Sequence, residues 1–497
     1  MNALDAITPV DGYKLGHVAQ FPLHTEECYS NFTPRGSRIE GVEEVTFLGL
    51  QPAIQQHLMD DLKEFFEGDI DEICQEYTDL MNEYLGPNTV GTQHIRDWHA
   101  LGFTPLEFKA LPEGTQVPLR VPMFTVRSTH GEKYSWLANY FETILSASLW
   151  MPCTSATTAR RLRKVLEKWA TVTGSPEGFI DWQGHDFSFR GMAGLEAAKM
   201  SASGHLVYFC GTDTVPAIRY IKKYYGVPQN YLLAGSVPAT EHSVMCAGGE
   251  ECELDTFNRL LDIYPSGIVS VVSDTWDLWN VVGPNGIVSQ LKDRILSREG
   301  KLVIRPDSGV PKLIICGNPD APVGSPEYKG VIECLWDIFG GTVTDPAIGS
   351  TAGYKVLDSH IGCIYGDSIS VESADEILKG LADKGFASCN MVFGVGSFTY
   401  QYVTRDTYNF AMKATNVVIS GESRAIFKKP KTDNGMKNSA KGYLAVMPNF
   451  DTGKVELVNE ASGIPFAMSL LHTVWIDGRW VRTQTFDNIR EIARSTM

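Results

Sequence analysis

Between about Ser203 and Ser397 the chain repeats one pattern: a short apolar run stops, and a cluster of Gly, Asp, Ser, Arg or His follows at once. His205 to Cys210 gives way to Gly211-Thr212-Asp213. Tyr231-Leu232-Leu233 leads to a loop holding Glu241 and His242. Ile268 to Val272 runs into Ser273-Asp274-Thr275-Trp276-Asp277. Leu302-Val303-Ile304 ends in Arg305-Pro306-Asp307-Ser308-Gly309, Cys363-Ile364-Tyr365 in Gly366-Asp367, and Met391-Val392-Phe393 in Gly394-Val395-Gly396-Ser397. Strands buried on both faces read as short continuous apolar runs. Where such strands lie parallel, reactive groups gather at their C-terminal ends. Six runs with polar tips therefore predict an α/β region whose active site is assembled from many loops.

Helical patterns fall between these runs. Ile377, Leu378 and Leu381 share one face after Ser373-Ala374-Asp375-Glu376, a capping-box pattern, and Gly385 is placed to stop that helix. Such strand–helix–strand units favour a parallel sheet or barrel. Tyr134–Leu149 reads as a buried helix, and Thr158–Ala170 as an amphipathic one whose Arg160, Arg161, Arg163 and Lys164 form a solvated face. A further helical stretch lies near Ile54–Phe66, and strand-like pieces around Leu119–Val126. After Arg405 short strands return, as in Tyr443–Met447 and Val474–Val481. The Pro- and Gly-rich Gly317–Lys329 reads as a surface loop. The expected organisation is 1–155, 156–405 and 406–497, with the middle segment carrying the α/β barrel.

A net charge of −16 argues against a general nucleic-acid binder, which needs a basic footprint. It leaves room for an anionic small substrate in a local basic pocket. The N-terminus has neither a basic nor an apolar signal region, and no apolar run is long enough to span a bilayer. A cytoplasmic protein is expected. The ten cysteines contain no C-x-x-C pair and are read as reduced thiols; Cys246 and Cys252, near His242, are not taken as a zinc site.

The tips suggest chemistry. Arg305 can grip a phosphate in bidentate fashion, and Asp307 can hold Mg²⁺ directly or through water; a structural Arg–Asp turn would read the same way. Gly394-x-Gly396-Ser397 would let backbone N–H groups approach a phosphate, although a tight turn also needs glycine. Asp367 could accept from ribose hydroxyls or form an Asx turn. Glu241-His242 could supply a base, a phosphate donor or a phosphorylated nucleophile. His185-Asp186-Phe187-Ser188-Phe189-Arg190 offers an aromatic platform beside a cation, or ordinary core packing. No Walker A motif, full G-x-G-x-x-G or G-x-S-x-G elbow occurs.

In this order, the chain resembles the nicotinamide phosphoribosyltransferase family of type II phosphoribosyltransferases. The resemblance rests on DGYK (Asp11–Lys14), HDFSFRG (His185–Gly191), GTDTV (Gly211–Val215), SVPATEHS (Ser236–Ser243) and SVVSDTWD (Ser270–Asp277). It continues through IRPDSG (Ile304–Gly309), YGDSI (Tyr365–Ile369), FGVGS (Phe393–Ser397), VTRD (Val403–Asp406) and LLHTV (Leu470–Val474). It implies an irregular, TIM-like α/β barrel with a β-rich α+β domain built from both chain ends, in a homodimer with active sites at the interface. The implied reaction joins nicotinamide to 5-phosphoribosyl 1-pyrophosphate, with Mg²⁺, giving nicotinamide mononucleotide and pyrophosphate for NAD salvage. ATP acts as co-substrate through a phosphohistidine at His242, beside Glu241.

By the same resemblance Arg190 and Arg305 hold pyrophosphate, with Pro306 beside them, and Asp307 serves ribose and Mg²⁺. Gly366, Asp367, Gly396, Ser397 and Arg405 hold ribose and phosphate. Phe187 stacks on one face of the pyridine ring and Tyr13 of the partner subunit on the other. Arg35 and Lys413 join the phosphate and ATP surroundings, and Ser273 and Asp277 complete the substrate-contacting set. Asp213 selects the substrate, since a carboxylate accepts from an amide and repels an acid.

The chain departs from the family at Val395 and Ser397, where glycine is common, and at Gly12, where serine is usual. An insertion around 316–352 has no assigned role. Three other readings stay open: nicotinate phosphoribosyltransferase, a phosphosugar isomerase or aldolase barrel, and a pyridine-nucleotide sensor without turnover. Asp213 counts against the first. No strand-tip lysine supports a Schiff-base aldolase, and His242, Arg305 and Asp307 count against the sensor.

Overall fold

The computed structural model describes residues 2–345, 353–427, 440–460 and 468–497. The last part of the 316–352 insertion, 346–352, lies outside them. The chain divides into two compact units: Met1–Thr154 with Ile221–Gln229 and Val403–Thr496, and Ser155–Tyr220 with Asn230–Tyr402 and Met497. The expected organisation keeps Ile221–Gln229 in the middle segment; the structure places it in the first unit. Its anchor is Tyr225, whose hydroxyl donates to Glu113 Oε2 at 2.7 Å and accepts from Gly49 N at 3.1 Å.

In chain order the principal strands are β1 (Thr25–Pro34), β2 (Leu106–Ala110), β3 (Phe124–Ser128), β4 (Gly184–Asp186), β5 (Gly211–Thr212), β6 (Ser266–Val272) and β7 (Glu299–Arg305), then β8 (Ile361–Tyr365), β9 (Met391–Val395), β10 (Phe410–Ile419), β11 (Glu422–Ala425), β12 (His472–Ile476) and β13 (Arg479–Trp480). The first unit holds an antiparallel sheet of order β11-β10-β1-β3-β2-β12-β13, so strands from both chain ends share one sheet. Its core is aromatic: Phe32 stacks on Phe124 and Phe410 with centroids 5.5 and 5.2 Å apart.

The second unit holds the parallel sheet, of order β5-β4-β9-β8-β7-β6. It curls. Gly211 of β5 bridges to Gly235, and Ser270 of β6 bridges to Ala239, so both edge strands reach the segment 235–239. The result is a mixed α/β fold with a curled parallel sheet of six paired strands among the described residues. Two expected strands fail. His205–Cys210 is mostly the end of helix α2 (Leu195–Tyr208), and Tyr231–Leu233 forms no strand. Helix α1 (Glu142–Thr173) merges two predicted helices and runs through Pro152, whose ring packs against Gly49 where a Cβ would crowd it at 2.7 Å. Arg163 is not a solvated face. It donates to Asp181 at 2.6 Å, Glu167 at 2.9 Å and the Tyr208 carbonyl at 2.6 Å.

The best-read unit is β8–helix–β9. The helix, α4 (Val371–Asp383), starts one turn earlier than predicted, because Ser370 rather than Ser373 is the cap. Ser370 Oγ accepts from Ser373 N at 3.1 Å, and Ser373 Oγ accepts from Ser370 N at 2.8 Å. Gly385 stands just past its end with φ 78°, as expected of a stop. Within Gly317–Lys329 a single helical turn forms at Pro326–Lys329. The 119–123 stretch is a turn, with Arg120 at φ 72°, so only Phe124 onward pairs as a strand.

Candidate active site

Because the six strands are parallel, their C-terminal tips lie along one edge of the second unit. Phe187 follows β4, Asp213 follows β5, Ser273–Asp277 follow β6 and Pro306-Asp307 follow β7. Gly366-Asp367 follow β8 and Gly396-Ser397 follow β9. Phe187 is fixed by its N–H, which donates to the Val395 carbonyl at 2.9 Å. Its ring lies against Gly394, where a Cβ would overlap it, and against Gly366, where a Cβ would stand 3.2 Å from it. These glycines make room for an aromatic platform. The Arg305 guanidinium lies 6.0 Å from the ring centroid, and the His185 ring 4.8 Å from it.

Asp213 is half-exposed, and one of its oxygens carries the protein contacts. Oδ1 accepts from His185 Nε2 at 2.8 Å and from Ser236 Oγ at 2.6 Å. Among the described residues Oδ2 takes no donor. Burial pushes the Asp213 carboxyl up, but the His185 and Ser236 hydrogen bonds and the charge of Arg305 outweigh it and hold the group below the ordinary aspartate value.

Arg305 donates through Nη2 to the Thr240 carbonyl at 2.8 Å, while its buried Nε has no hydrogen-bond partner among the described residues. Asp307 is half-buried. Burial raises its carboxyl; Arg305 and His242 oppose the rise, while Asp274 and Asp367 reinforce it. Asp274 accepts from Asp307 N at 2.9 Å and Ser308 Oγ at 2.6 Å, both through Oδ2; its other oxygen is buried without a hydrogen-bond donor, with His242 Nε2 3.9 Å away. His242 is half-exposed at the start of α3 (His242–Cys246), with Nδ1 3.2 Å from Thr275 Oγ1. Glu241 accepts from Ser243 Oγ.

Gly396 opens onto free space: a Cβ there would meet nothing within 4 Å. Ser397 begins α5 (Ser397–Tyr400), and its hydroxyl packs against Gly191, next to the exposed Arg190. Two predicted contacts have other employment. Ser273 is fully buried and its hydroxyl donates to the Val271 carbonyl at 2.8 Å, tying the strand end together. Asp277 caps a short helix by accepting from Trp279 N at 2.9 Å. Pro306 is buried between Arg305 and Asp307.

Four predicted residues belong to the first unit. Tyr13 is 64% exposed, which leaves its ring open to a neighbour. Arg35 donates to the Asn409 carbonyl and side chain at 3.2 and 3.0 Å. Arg405 pairs with Asp406 at 3.2 Å, and exposed Lys413 lies 3.7 Å from Glu142.

Below the tips, alternate strand residues line a cavity of about 180 Å³: Ile268 and Ser270 of β6, Lys301, Val303 and Arg305 of β7, and Val392 of β9. The intervening Val269, Leu302 and Ile304 are buried on the other face. From Arg305 to Lys301 the strand spans about 13 Å. The Ser270 hydroxyl in this wall has no hydrogen-bond partner among the described residues. A second cavity, of about 220 Å³, sits in the first unit, but its charges neutralise each other: Arg127 bonds Glu27 at 2.9 Å and Glu107 at 2.6 Å. The strand-tip region instead leaves polar atoms of Arg305, Asp274 and Ser270 without hydrogen-bond partners among the described residues, beside an open cavity, which makes it the candidate ligand site. The sequence assigns no role to His185, Ser236, Thr240, Ser270 or Asp274, although all five stand inside the motifs singled out above and only their contacts set them apart.

No cluster of three or more metal-binding side chains exists among the described residues. Asp307, with Asp274 and Asp367 near, fits a hydrated Mg²⁺ that arrives on a phosphate, since this ion keeps several waters and needs only one or two carboxylates. Nor is any helix among the described residues long and apolar enough to cross a membrane.

Known proteins match this arrangement. The model of the nicotinate phosphoribosyltransferase family covers residues 182–475, and that of the nicotinamide phosphoribosyltransferase N-terminal domain covers residues 5–86. A nicotinamide phosphoribosyltransferase of Acinetobacter baylyi is 46% identical over 98% of this chain and 97% of its own. One from Mycoplasma pneumoniae is 36% identical over 85% of this chain and 92% of its own. In fold the chain is similar to the nicotinate-nucleotide pyrophosphorylase of Pyrococcus furiosus (TM-score 0.58, 14% identity, 99% of this chain and 95% of that one). It is also similar to human nicotinic acid phosphoribosyltransferase (TM-score 0.54, 15% identity, 99% and 93%). The chain belongs to the nicotinate phosphoribosyltransferase family and is a phosphoribosyl-transferring enzyme.

Proposed function

We propose that this enzyme joins nicotinamide to 5-phosphoribosyl 1-pyrophosphate, giving nicotinamide mononucleotide and pyrophosphate, with Mg²⁺ and with ATP as a driving co-substrate. The observation that carries the choice of pyridine is Asp213. Its Oδ2 has no donor among the described residues, and it lines the same cavity as the Phe187 platform. An amide N–H₂ satisfies that oxygen; a carboxylate is repelled by it. The family's name points to nicotinate and the relatives' names to nicotinamide, and Asp213 favours the relatives.

The pyridine nitrogen is a neutral nucleophile and needs no strong base. It attacks the anomeric carbon as the bond to pyrophosphate breaks, through an oxocarbenium-like state. The chain's part is positioning and charge stabilisation. Arg305 and Arg190 take the charge of the departing pyrophosphate. Asp307 faces the developing positive charge on the ribose and would hold Mg²⁺, which supplies further neutralisation of the pyrophosphate when bound. Gly366, Asp367, Gly396, Ser397 and Arg405 hold ribose and 5′-phosphate. Tyr13 of the partner subunit covers the pyridine face that Phe187 leaves open, which makes the working form a homodimer; Arg35 and Lys413 serve the phosphates. His242, with Glu241 beside it, takes the γ-phosphoryl group of ATP, releasing ADP, and later yields it to water.

Asp213→Asn tests the substrate assignment. A site built on a buried polar contact discriminates by up to roughly 10⁴-fold. The variant is expected to bring the ratio of kcat/KM for nicotinamide over nicotinate to within about tenfold of unity. A ratio equal to the wild type's would refute the role.

A further inference from the structure

Asp186 takes no part in the mechanism above, yet its carboxylate is the most heavily engaged in the site. It is fully buried. Oδ1 accepts from Ser188 N at 3.0 Å and Ser188 Oγ at 2.6 Å; Oδ2 accepts from Thr212 Oγ1 at 2.8 Å and Thr214 Oγ1 at 2.7 Å. Its backbone carbonyl accepts from Asp213 N at 2.9 Å. A carboxylate has about four acceptor positions, so four donors fill it. None of these donors carries a charge.

The placement of the donors matters more than their number. Ser188 closes the turn that presents Phe187. Thr212 and Thr214 flank Asp213, and Thr212 Oγ1 also accepts from Thr214 N at 2.9 Å. One side chain therefore ties together the turn that carries the ring platform and the turn that carries the amide acceptor. These turns follow neighbouring strands, β4 and β5, which pair over only two residues, His185–Gly211 and Asp186–Thr212. So short a ladder leaves the tips to be fixed by side chains.

We infer that Asp186 is a positioning residue that sets the spacing between Phe187 and Asp213, and through it the recognition of a planar pyridine amide. This rests on the proposed nicotinamide reaction. A displacement of about 1 Å between two groups that grip one small ring can cost roughly 10²-fold in rate. Of the two arginines on the pyrophosphate side, Arg305 hangs on β7 and does not share this carboxylate, while Arg190 follows Ser188 on the β4 turn, so pyrophosphate binding is affected less than the grip on the ring.

The test is steady-state kinetics of Asp186→Asn, Asp186→Ala and Thr214→Val with nicotinamide, nicotinate and phosphoribosyl pyrophosphate, alongside melting temperatures. Asn keeps the shape and can turn its amide toward the threonine hydroxyls; Ala leaves four donors unmet. The expected result is a KM for nicotinamide raised about tenfold in Asn and Thr214→Val and roughly 10²-fold in Ala. The amide-over-acid preference should fall in step, while the KM for phosphoribosyl pyrophosphate, held also by Arg305 on β7, rises less than that for nicotinamide. Should Ala not fold, the Asn and Thr214→Val variants decide. Wild-type KM and selectivity in both, with only kcat falling in proportion to melting temperature, would overturn the inference and leave Asp186 a structural residue. Failure of the wild type itself to make nicotinamide mononucleotide would instead defeat the underlying reaction, so the two failures are distinct.

Discussion

At the scale of single residues, the site works by leaving particular atoms unsatisfied. Among the described residues Arg305 Nε, Asp274 Oδ1 and Ser270 Oγ are buried without a hydrogen-bond partner, and all three belong to the strand-tip region. His242 shows the other side of this economy. It is half-exposed, lightly held by Thr275, and close to the carboxylate of Asp274, so it can meet a phosphoryl donor without first breaking a strong contact. Removing it should affect ATP coupling rather than glycosyl transfer. His242→Ala is expected to keep slow ATP-independent synthesis and to lose all stimulation by ATP, measured as mononucleotide formed with and without the nucleotide. Full stimulation in the variant would exclude His242 as the phosphorylated group. The residues legible in the sequence were those whose chemistry is unusual at a strand end, such as Arg305, Asp307 and Asp213. Asp186 and Ser270 were not, because a buried Asp and Ser are distinguished only by who their neighbours are.

At the scale of elements, legibility followed exposure. α4 was readable because one face is buried, through Ile377, Leu378 and Leu381, and the other is wet. The end of α2 was misread because every residue from Ser201 to Tyr208 is buried, which erases the helical period and leaves an apolar run like a strand's. α1 joins two predicted helices: local propensity at Pro152 argues for an end, and packing against Gly49 carries the helix through. The reciprocal cap at Ser370 makes a prediction that belongs to this scale. Ser370→Ala removes the acceptor for Ser373 N and is expected to lower stability by about 1 kcal/mol in urea unfolding, with unchanged kcat/KM. No loss of stability would mean that the cap contributes nothing to the unit.

At the scale of the whole molecule, charge and burial set the working range of pH. His94 is buried against Trp136 and Tyr77, and burial pushes its imidazole down to about 4. His205, fully buried between Tyr400 and the Gly211 carbonyl, is lowered for the same reason. A histidine depressed on folding is protonated first in the unfolded chain. Its contribution to stability is therefore intact above about 6.5 and is lost as pH falls from there toward 4. Between pH 7 and pH 5 His94 alone should cost about 2 kcal/mol, measured by urea unfolding at each pH, and His94→Gln should flatten that slope. An equal slope in the variant would show that His94 is not responsible.

The two units divide the work by what their sheets can do. The antiparallel sheet, built from both chain ends, packs an aromatic core, and the parallel sheet presents six tips along one edge. The central claim is the choice of nicotinamide by this second arrangement. It is tested most directly by following mononucleotide formation by the purified protein with phosphoribosyl pyrophosphate and Mg²⁺, offering nicotinamide or nicotinate, each with and without ATP. Product from nicotinamide, absent or slight from nicotinate and increased by ATP, is the predicted result; product mainly from nicotinate, or none from either, would contradict it.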